Sequence, residues 1–357
     1  MMKVYGKHLQ GNPLRRINTL IYMVSGILSN ASVQLPEMAS GVHRSVKSES
    51  TIKQFKRFLM NQFTDYERCY LPFIRPLLEQ MAQQGELVFA IDGSSGGKGC
   101  MVLMVSLVYR KRAIPIVWLC KKAKKGHLPE AMHVELLEGL MRLVPTDCRK
   151  VLLGDGEFDG IALQKLLNDH GWQYVLRTRK DLLVIEHTEN YRSGDTFQPK
   201  MVGTGPAEHF LIADVEVTQQ AYGPVNLLVW HSKQYKDALY LLSNVDCAQQ
   251  ISAYYQKRFS IETLFADQKT KGFQLHRSRI GDPARLAKLL MAACLAYIFL
   301  LLVALQGQQK GLIKQIHRTQ RCDLSLFTIG KRMLQYLINH RIWYELSYSL
   351  IIQKTVR

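Results

Sequence analysis

The sequence predicts an α/β fold: a mixed sheet at the core, a β-rich insertion within it, and helical regions at both ends. Three observations carry this. Helix-period apolar spacing runs up to Gln84 and gives way near Gly85 to strand-like apolar runs. Beyond that point three such runs follow one another across short turns and then alternate with helical segments, the order of an α/β sheet. The 357 residues, 47% hydrophobic and 21% charged, have ordinary globular composition, with bulk for two to three domains at roughly 150 residues each.

Residues 13–28 place Leu14, Ile17, Leu20, Ile21, Val24, Ile27 and Leu28 at helical spacing; a second helix is expected to start at Pro36 and a third after Ser48 to Thr51. Within 51–61 (TIKQFKRFLMN), Lys53, Lys56 and Arg57 lie beside apolar Ile52, Phe55, Phe58 and Leu59. A small helical DNA-binding module and a plain amphipathic helix with a solvated basic face both fit this pattern. Helix is expected again over 70–84. Residues 87–92, 101–110 and 113–119 then read as an antiparallel meander, separated by the Gly-rich turn 93–99 and by Lys111-Arg112. A helix (129–143), a strand (151–153, ending at Gly154-Asp155), a helix (161–170) and a strand (172–176) follow. This is the order of an RNase H-like sheet, in which the fourth strand lies parallel to the first and beside it. Short alternating segments at 182–186, 210–217, 225–230 and 238–242 form the β-rich insertion, and helix resumes at about Ala248.

Charge narrows the function. Forty-seven Lys and Arg against 29 Asp and Glu leave +18, which favours a polyanionic partner, nucleic acid first and an anionic membrane surface second. Seven cysteines (69, 100, 120, 148, 247, 294 and 322), none closer than twenty residues to another, exclude a CxxC zinc or redox site. The basic start, 1–16, lacks the apolar core of a secretory signal, and a reducing cytoplasm is expected. Residues 289–305 (LLMAACLAYIFLLLVAL) are 17 residues without a charge, at the lower edge of a membrane span; a single such stretch is expected to be a buried core helix.

Side-by-side parallel strands bring Asp92 and Asp155 to one edge, at the carboxyl ends where open α/β sheets place their sites. Each is followed by Gly, which leaves room for a close ligand, although Asp-Gly after a strand is also an ordinary turn signal. Glu157 and Asp159 are rivals for the second position, but lie beyond the strand end. On a helix through 254–272, with Tyr255 set at zero, Arg258 falls near −60°, Glu262 near −20° and Lys269 near −40°, at roughly 100° per residue. Asp267, at roughly +120°, points away, so Glu262 is the acid that shares a face with two cations and a phenol. A surface stripe held by i,i+4 pairs would look the same.

Tyr255-x2-Arg258-x3-Glu262-x6-Lys269 resembles the YREK signature of the insertion-sequence family four DDE transposases, and AIDGS around Asp92 and GDGEFDG around Asp155 look like that family's two aspartate boxes. All four signature positions match in spacing, and the resemblance covers residues 87–305. It implies an RNase H-like core with a β-rich insertion between the second Asp and the Glu, for which the 107 residues from 155 to 262 leave room. It also implies bacterial, nucleoid-associated DNA transposition: nicking at the element's terminal inverted repeats, then attack of the freed 3′ hydroxyls on double-stranded target DNA by a homodimer in the synaptic complex. Asp92, Asp155 and Glu262 are the implied ligands of two Mg2+ ions, with Mn2+ able to substitute; three carboxylates and no soft ligand select hard cations. Arg258 and Lys269 would hold phosphates and Tyr255 would hydrogen-bond the DNA backbone. Gly156 departs from the Arg that many relatives carry after the second Asp, which removes any phosphate contact from that position.

The expected organisation is a helical N-terminal DNA-binding or assembly region (1–84), the catalytic core in two parts (85–180 and 248–305), the insertion (181–247) and a helical C-terminal region (306–357). Trp230 and Tyr240 in the insertion either pack the sheet or stack a base extruded from DNA, as aromatics of this region do in some YREK relatives. Lys111, Arg112, Lys121, Lys122, Lys124 and Lys125 form either a backbone-binding patch or a solvated cluster. His127 and His133 lack metal-site spacing, and the run 93–98 (GSSGGK) fails the P-loop spacing. Two other functions share these residues: a nuclease or resolvase that cuts without joining, and a domesticated, non-catalytic DNA-binding protein.

Overall fold

The structure, a computed structural model, describes residues 9–123, 128–186, 195–202, 208–232, 235–317, 323–342 and 346–350. Among these, α1 (Gly11–Asn30), α2 (Leu35–Ser40), α3 (Ser48–Met60), α4 (Tyr66–Cys69) and α5 (Leu71–Ala82) precede the sheet. Their apolar stripes, with Leu20, Ile27, Phe55, Phe58 and Leu77 fully or nearly buried, join the same hydrophobic cluster as the sheet. Helix α3 leaves Lys53, Lys56 and Arg57 exposed, so its basic face is solvated.

The meander forms as the apolar runs dictate: β1 (Glu86–Gly96), β2 (Cys100–Tyr109) and β3 (Arg112–Lys122) pair antiparallel. After α6 (Glu130–Met141), β4 (Arg149–Gly154) returns parallel to β1; after α7 (Ile161–Asp169), β5 (Gln173–Arg177) lies parallel to β4. The order β3-β2-β1-β4-β5 is the RNase H-like arrangement that the element order predicts. One boundary differs. Strand β1 continues past Asp92 to Gly96, because β2 goes on pairing with it (Asp92 opposite Met104, Gly96 opposite Cys100) after the parallel pairing with β4 stops at Ala90 and Leu153.

The insertion does not form a separate unit. Strands β6 (Val184–Glu186), β7 (Asp195–Phe197), β8 (His209–Val217), β9 (Tyr222–Trp230) and β10 (Leu239–Ser243) extend the same sheet, β10 pairing antiparallel with β5, to give ten strands in the order β3-β2-β1-β4-β5-β10-β9-β8-β6-β7. Then come α8 (Ala248–Lys257), α9 (Ser260–Gln268), α10 (Pro283–Gln309), α11 (Ile313–Ile316) and α12 (Leu326–Asn339).

Alternation along the strands divides the core. Phe89, Leu152, Tyr174 and Leu176 share a cluster with Leu163 and Leu167 of α7, whereas Val88, Val151, Leu153 and Val175 pack with Ile251, Tyr254 and Tyr255 of α8. Helix α10 is long and apolar enough to cross a membrane, yet nearly all of its apolar stretch is buried against α12, α1 and β3. The basic residues around β3 do not make one patch. Lys111-Arg112 and Lys121-Lys122 stand at opposite ends of the strand, about 30 Å apart at ~3.3 Å per residue. Lys124, Lys125 and His127 lie outside the described residues.

Candidate active site at the carboxyl edge of the sheet

The parallel register sets the site. Ala90 pairs with Leu153 and Gly154 with Leu176, so Asp92, Asp155 and Arg177 continue one row across the ends of β1, β4 and β5. They share the face of Val88, Leu153 and Val175, the face that α8 covers. The Gly93 amide donates to Asp92 Oδ1 at 2.7 Å and the Glu157 amide to Asp155 Oδ1 at 3.0 Å. Burial, and next the like charge of Asp155, push the Asp92 carboxyl up to about 7; Arg258 and the Gly93 amide oppose this, and Glu262 adds to it. Asp92 therefore senses both of the other sequence-assigned acids.

The YREK stripe is not carried by one helix. Helix α8 stops at Lys257, Arg258 and Phe259 make a tight turn with helical dihedrals, and α9 starts at Ser260. The i,i+4 relation survives the break: Arg258 Nη2 donates to Glu262 Oε1 at 2.6 Å, and Arg258 Nη1 lies 3.9 Å from Asp92 Oδ2. The guanidinium is buried over the rings of Tyr255 (5.5 Å) and Phe259 (4.6 Å), while the Glu262 side chain is half-exposed. Arg258 Nε is buried with no hydrogen-bond partner among the described residues. Lys269 corrects the helical projection: α9 ends at Gln268, so Lys269 lies in the following turn and leaves the stripe. Its ammonium still reaches the site, donating to Ser94 Oγ at 2.7 Å and Ser95 Oγ at 3.0 Å, just beyond Asp92 on β1. That end of the β1–β2 hairpin is pinned by the Lys98 amide on Ile280 O (2.7 Å), and Gly97, at φ +36°, admits the approach because a Cβ there would fall 2.1 Å from the same oxygen.

Among the described residues no three carboxylate, imidazole or thiol side chains gather closely enough to hold a metal ion, since Arg258 lies between Asp92 and Glu262. The donor chemistry of Asp92, Asp155 and Glu262 nevertheless suits a hard divalent cation, and the strained ionisation of Asp92 is what a cation would relieve.

Asp267 points away from Glu262, as projected, but it is not idle. It is buried and ion-paired with Arg112 at 2.8 Å, and burial outweighs the Arg112 charge to push its carboxyl up to about 6. The rivals near Asp155 are engaged elsewhere: Glu157 Oε1 accepts from the Leu128 amide (2.6 Å), and Asp159 Oδ2 from Thr178 Oγ1 (2.6 Å). His133 is buried against Phe158, its ring 4.7 Å away. Trp230 cannot offer a face to a base as it stands. It is 1% exposed, stacked on His209 at 5.8 Å, edged by Tyr235 at 5.4 Å, and its Nε1 donates to Glu208 at 3.3 Å. Tyr240 is half-buried against the cluster of Val184, Val215 and Leu242.

Two residues escaped notice in the sequence. Arg177 stands beside Asp155, exposed, with its charge felt by Tyr255. It ends an apolar strand just as the two aspartates follow theirs, so the same rule would have found it. A Cβ on Gly156 would meet nothing nearer than Arg177 O at 3.9 Å, so the missing arginine is a matter of sequence and not of space. Tyr235 stacks on Phe259 at 6.1 Å and senses Tyr255, Arg258 and Glu262; it lies in a connection without periodicity, where no signal marks it.

The site is thus an RNase H-like sheet carrying two aspartates on neighbouring strand ends, with a glutamate joined to the first of them through Arg258. The chain belongs to the transposase DDE domain family, whose pattern matches residues 79–299 and so spans every strand and helices α8 and α9. No curated protein matches the sequence. Among solved structures, similarity is found to a piggyBac transposase synaptic complex with hairpin DNA (13% identity, 96% of this chain and 77% of that one, TM-score 0.43). Ciona intestinalis endonuclease V with inosine-containing DNA is similar at 12% identity over 48% and 77% of the two chains (TM-score 0.27). Marinitoga piezophila Argonaute with guide RNA and target DNA is similar at 12% identity over 71% and 37% (TM-score 0.23). These likenesses are too distant to bear on function.

Proposed function

We propose that the chain is a DNA transposase of the YREK insertion-sequence kind, cleaving the ends of its element and joining them to double-stranded target DNA as a homodimer in a prokaryotic cytoplasm. The observation that supports this best is geometric: Asp92 and Asp155 stand on neighbouring strand ends, and Arg258 bridges Asp92 and Glu262. Asp92, Asp155 and Glu262 would hold Mg2+, or Mn2+ in its place, and what the metal supplies there is Lewis acidity toward a phosphoryl group.

The protein's own groups do the positioning. The unpartnered Nε of Arg258 is a buried donor that a phosphate oxygen would satisfy, in place of part of its hold on Glu262. Arg177, exposed in the same row as the aspartates, extends the cationic lining. Burial pushes the Tyr255 phenol up, so it stays protonated and can donate to a backbone oxygen. Lys269, held by Ser94 and Ser95, places a point charge beyond Asp92. Tyr235, only partly buried where Trp230 is fully buried, would be the aromatic to stack an extruded base.

The test is Glu262→Gln, assayed on DNA carrying the element's ends with magnesium present. Cleavage and joining should fall by at least ~100-fold, the scale expected when transition-state charge stabilisation is lost. Binding should stay within a few-fold, because it rests on many phosphate contacts. Near-normal turnover by Glu262→Gln would refute the assignment. Cleavage without joining by the wild type would make the protein a nuclease or resolvase, and binding without either would make it a non-catalytic DNA-binding protein.

A further inference from the structure

A cleft of about 590 Å3 opens on the flank of α9 away from the acids, between the start of β3, the turn after α9 and the first turns of α12. Its charged lining is four cations, Arg112, Lys271, Lys331 and Arg332, against two carboxylates, Asp267 and Asp323. Both carboxylates already have partners. Asp267 pairs with Arg112 in the buried floor, and Asp323 lies 3.1 Å from His317 at the rim. The side chains of Lys271 and Arg332 make no hydrogen bond or ion pair among the described residues, and Lys331 rests over the Phe327 ring at 5.7 Å. Both Lys271 and Lys331 are close enough to Asp267 to draw its ionisation down, so three cations converge on one buried carboxylate. The exposed cations are in excess, and they face open space.

Position says what fills it. Thr263, next to Glu262 in sequence, lines the cleft, and the turn after α9 sends Lys269 to the aspartate edge and Lys271 to the cleft. From Glu262 to Asp267 is ~7.5 Å along the helix, about two base pairs of duplex at 3.4 Å each. We infer that this cleft is a second phosphate-binding site, taking the sugar-phosphate backbone of DNA a few nucleotides from the reacting phosphate, with Lys271, Lys331 and Arg332 as its contacts. This rests on the transposase reading above, and it assigns a function to cations that the YREK signature does not include.

The experiment uses the full chain carrying Lys271→Gln, Lys331→Gln and Arg332→Gln together, titrated with a fluorescent duplex in chelator across 50–300 mM salt. A second triple variant neutralises the exposed Arg75, Arg142 and Lys165, none of which lines the cleft, and controls for net charge. The cleft variant should lose roughly 2 to 3 from the slope of log affinity against log salt, about 0.9 per phosphate released, and bind at least tenfold more weakly at 50 mM salt. Its melting temperature should match the wild type. An unchanged slope with intact wild-type binding, or an equal loss in the control triple, would overturn the cleft assignment and leave the transposase reading standing. If the wild type showed no salt-dependent DNA binding, the transposase reading would fall first and the cleft with it. Should the triple variant melt early, Lys331→Glu alone, on an exposed helix face, must lower the slope by about 1 and weaken binding at 50 mM salt or the inference fails.

Discussion

Asp92→Asn should make the chelated protein more stable at alkaline pH, and the size of the gain can be worked from the site. The Asp92 carboxyl ionises at about 7 in the fold, against 3.8 for an ordinary aspartate. The folded state therefore binds this proton more tightly than the unfolded chain. Its contribution to stability is complete below pH ~4 and is lost as pH rises through about 7. Three units at ~1.4 kcal/mol each set a ceiling of about 4 kcal/mol; partial solvent access at the strand end brings the expectation to about 2–3 kcal/mol. Asparagine keeps the shape and carries no charge, so the variant should match the wild type near pH ~3.5, below the unfolded value, and exceed it by that amount at pH 8. Urea denaturation midpoints at the two pH values, with chelator present, measure the difference and cancel other titrating groups. Because burial outranks Asp155 among the causes, Asp155→Asn should recover the smaller part of the gain. Identical pH dependence in wild type and Asp92→Asn would refute the claim that these carboxylates repel one another across the strand ends.

Asp267→Asn removes the carboxylate that Arg112 holds and should destabilise the fold by about 1–3 kcal/mol at pH 5, while activity per folded molecule is kept. Since burial raises the Asp267 carboxyl to about 6, the wild type loses stability relative to the variant as pH rises from about 4 through 6, so the penalty should be smaller at pH 8 than at pH 5 by ~1 kcal/mol; denaturation at both pH values decides. Trp230→Ala should cost about 3–5 kcal/mol of stability as a core truncation, whereas Tyr235→Ala should melt near the wild type and slow end processing. Melting curves and single-turnover cleavage on the same preparations separate the two roles.

The neighbouring placement of Asp92 and Asp155 was legible because the element order leaves the fourth strand one position to occupy, and register follows from it. Glu262 with Arg258 was legible because i,i+4 spacing outlasts a tight turn. Lys269 was misplaced on the helix since periodicity does not announce where a helix stops; its ammonium arrives through a turn. Trp230 was ambiguous for a different reason: the run from Val225 to Trp230 is buried on both sides, so alternation no longer tells inside from outside. The pairing of β10 with β5 joins residues far apart in the chain, and no local feature of either strand records it. Tyr235 owes its place to the fold of a connection, which composition does not encode.

That β10–β5 pairing changes what the insertion is. Leu241 opposite Arg177 and Ser243 opposite Val175 are rungs of one continuous ladder from β3 to β7, so the chain has no seam at which residues 181–247 could be lifted out. Excising them would bare the hydrogen-bonding edge of β5 and strip Leu228, Leu239 and Leu241 from the cluster that seats Tyr255. A strand graft of this kind turns an accessory segment into a structural wall of the edge that carries Asp155 and Arg177.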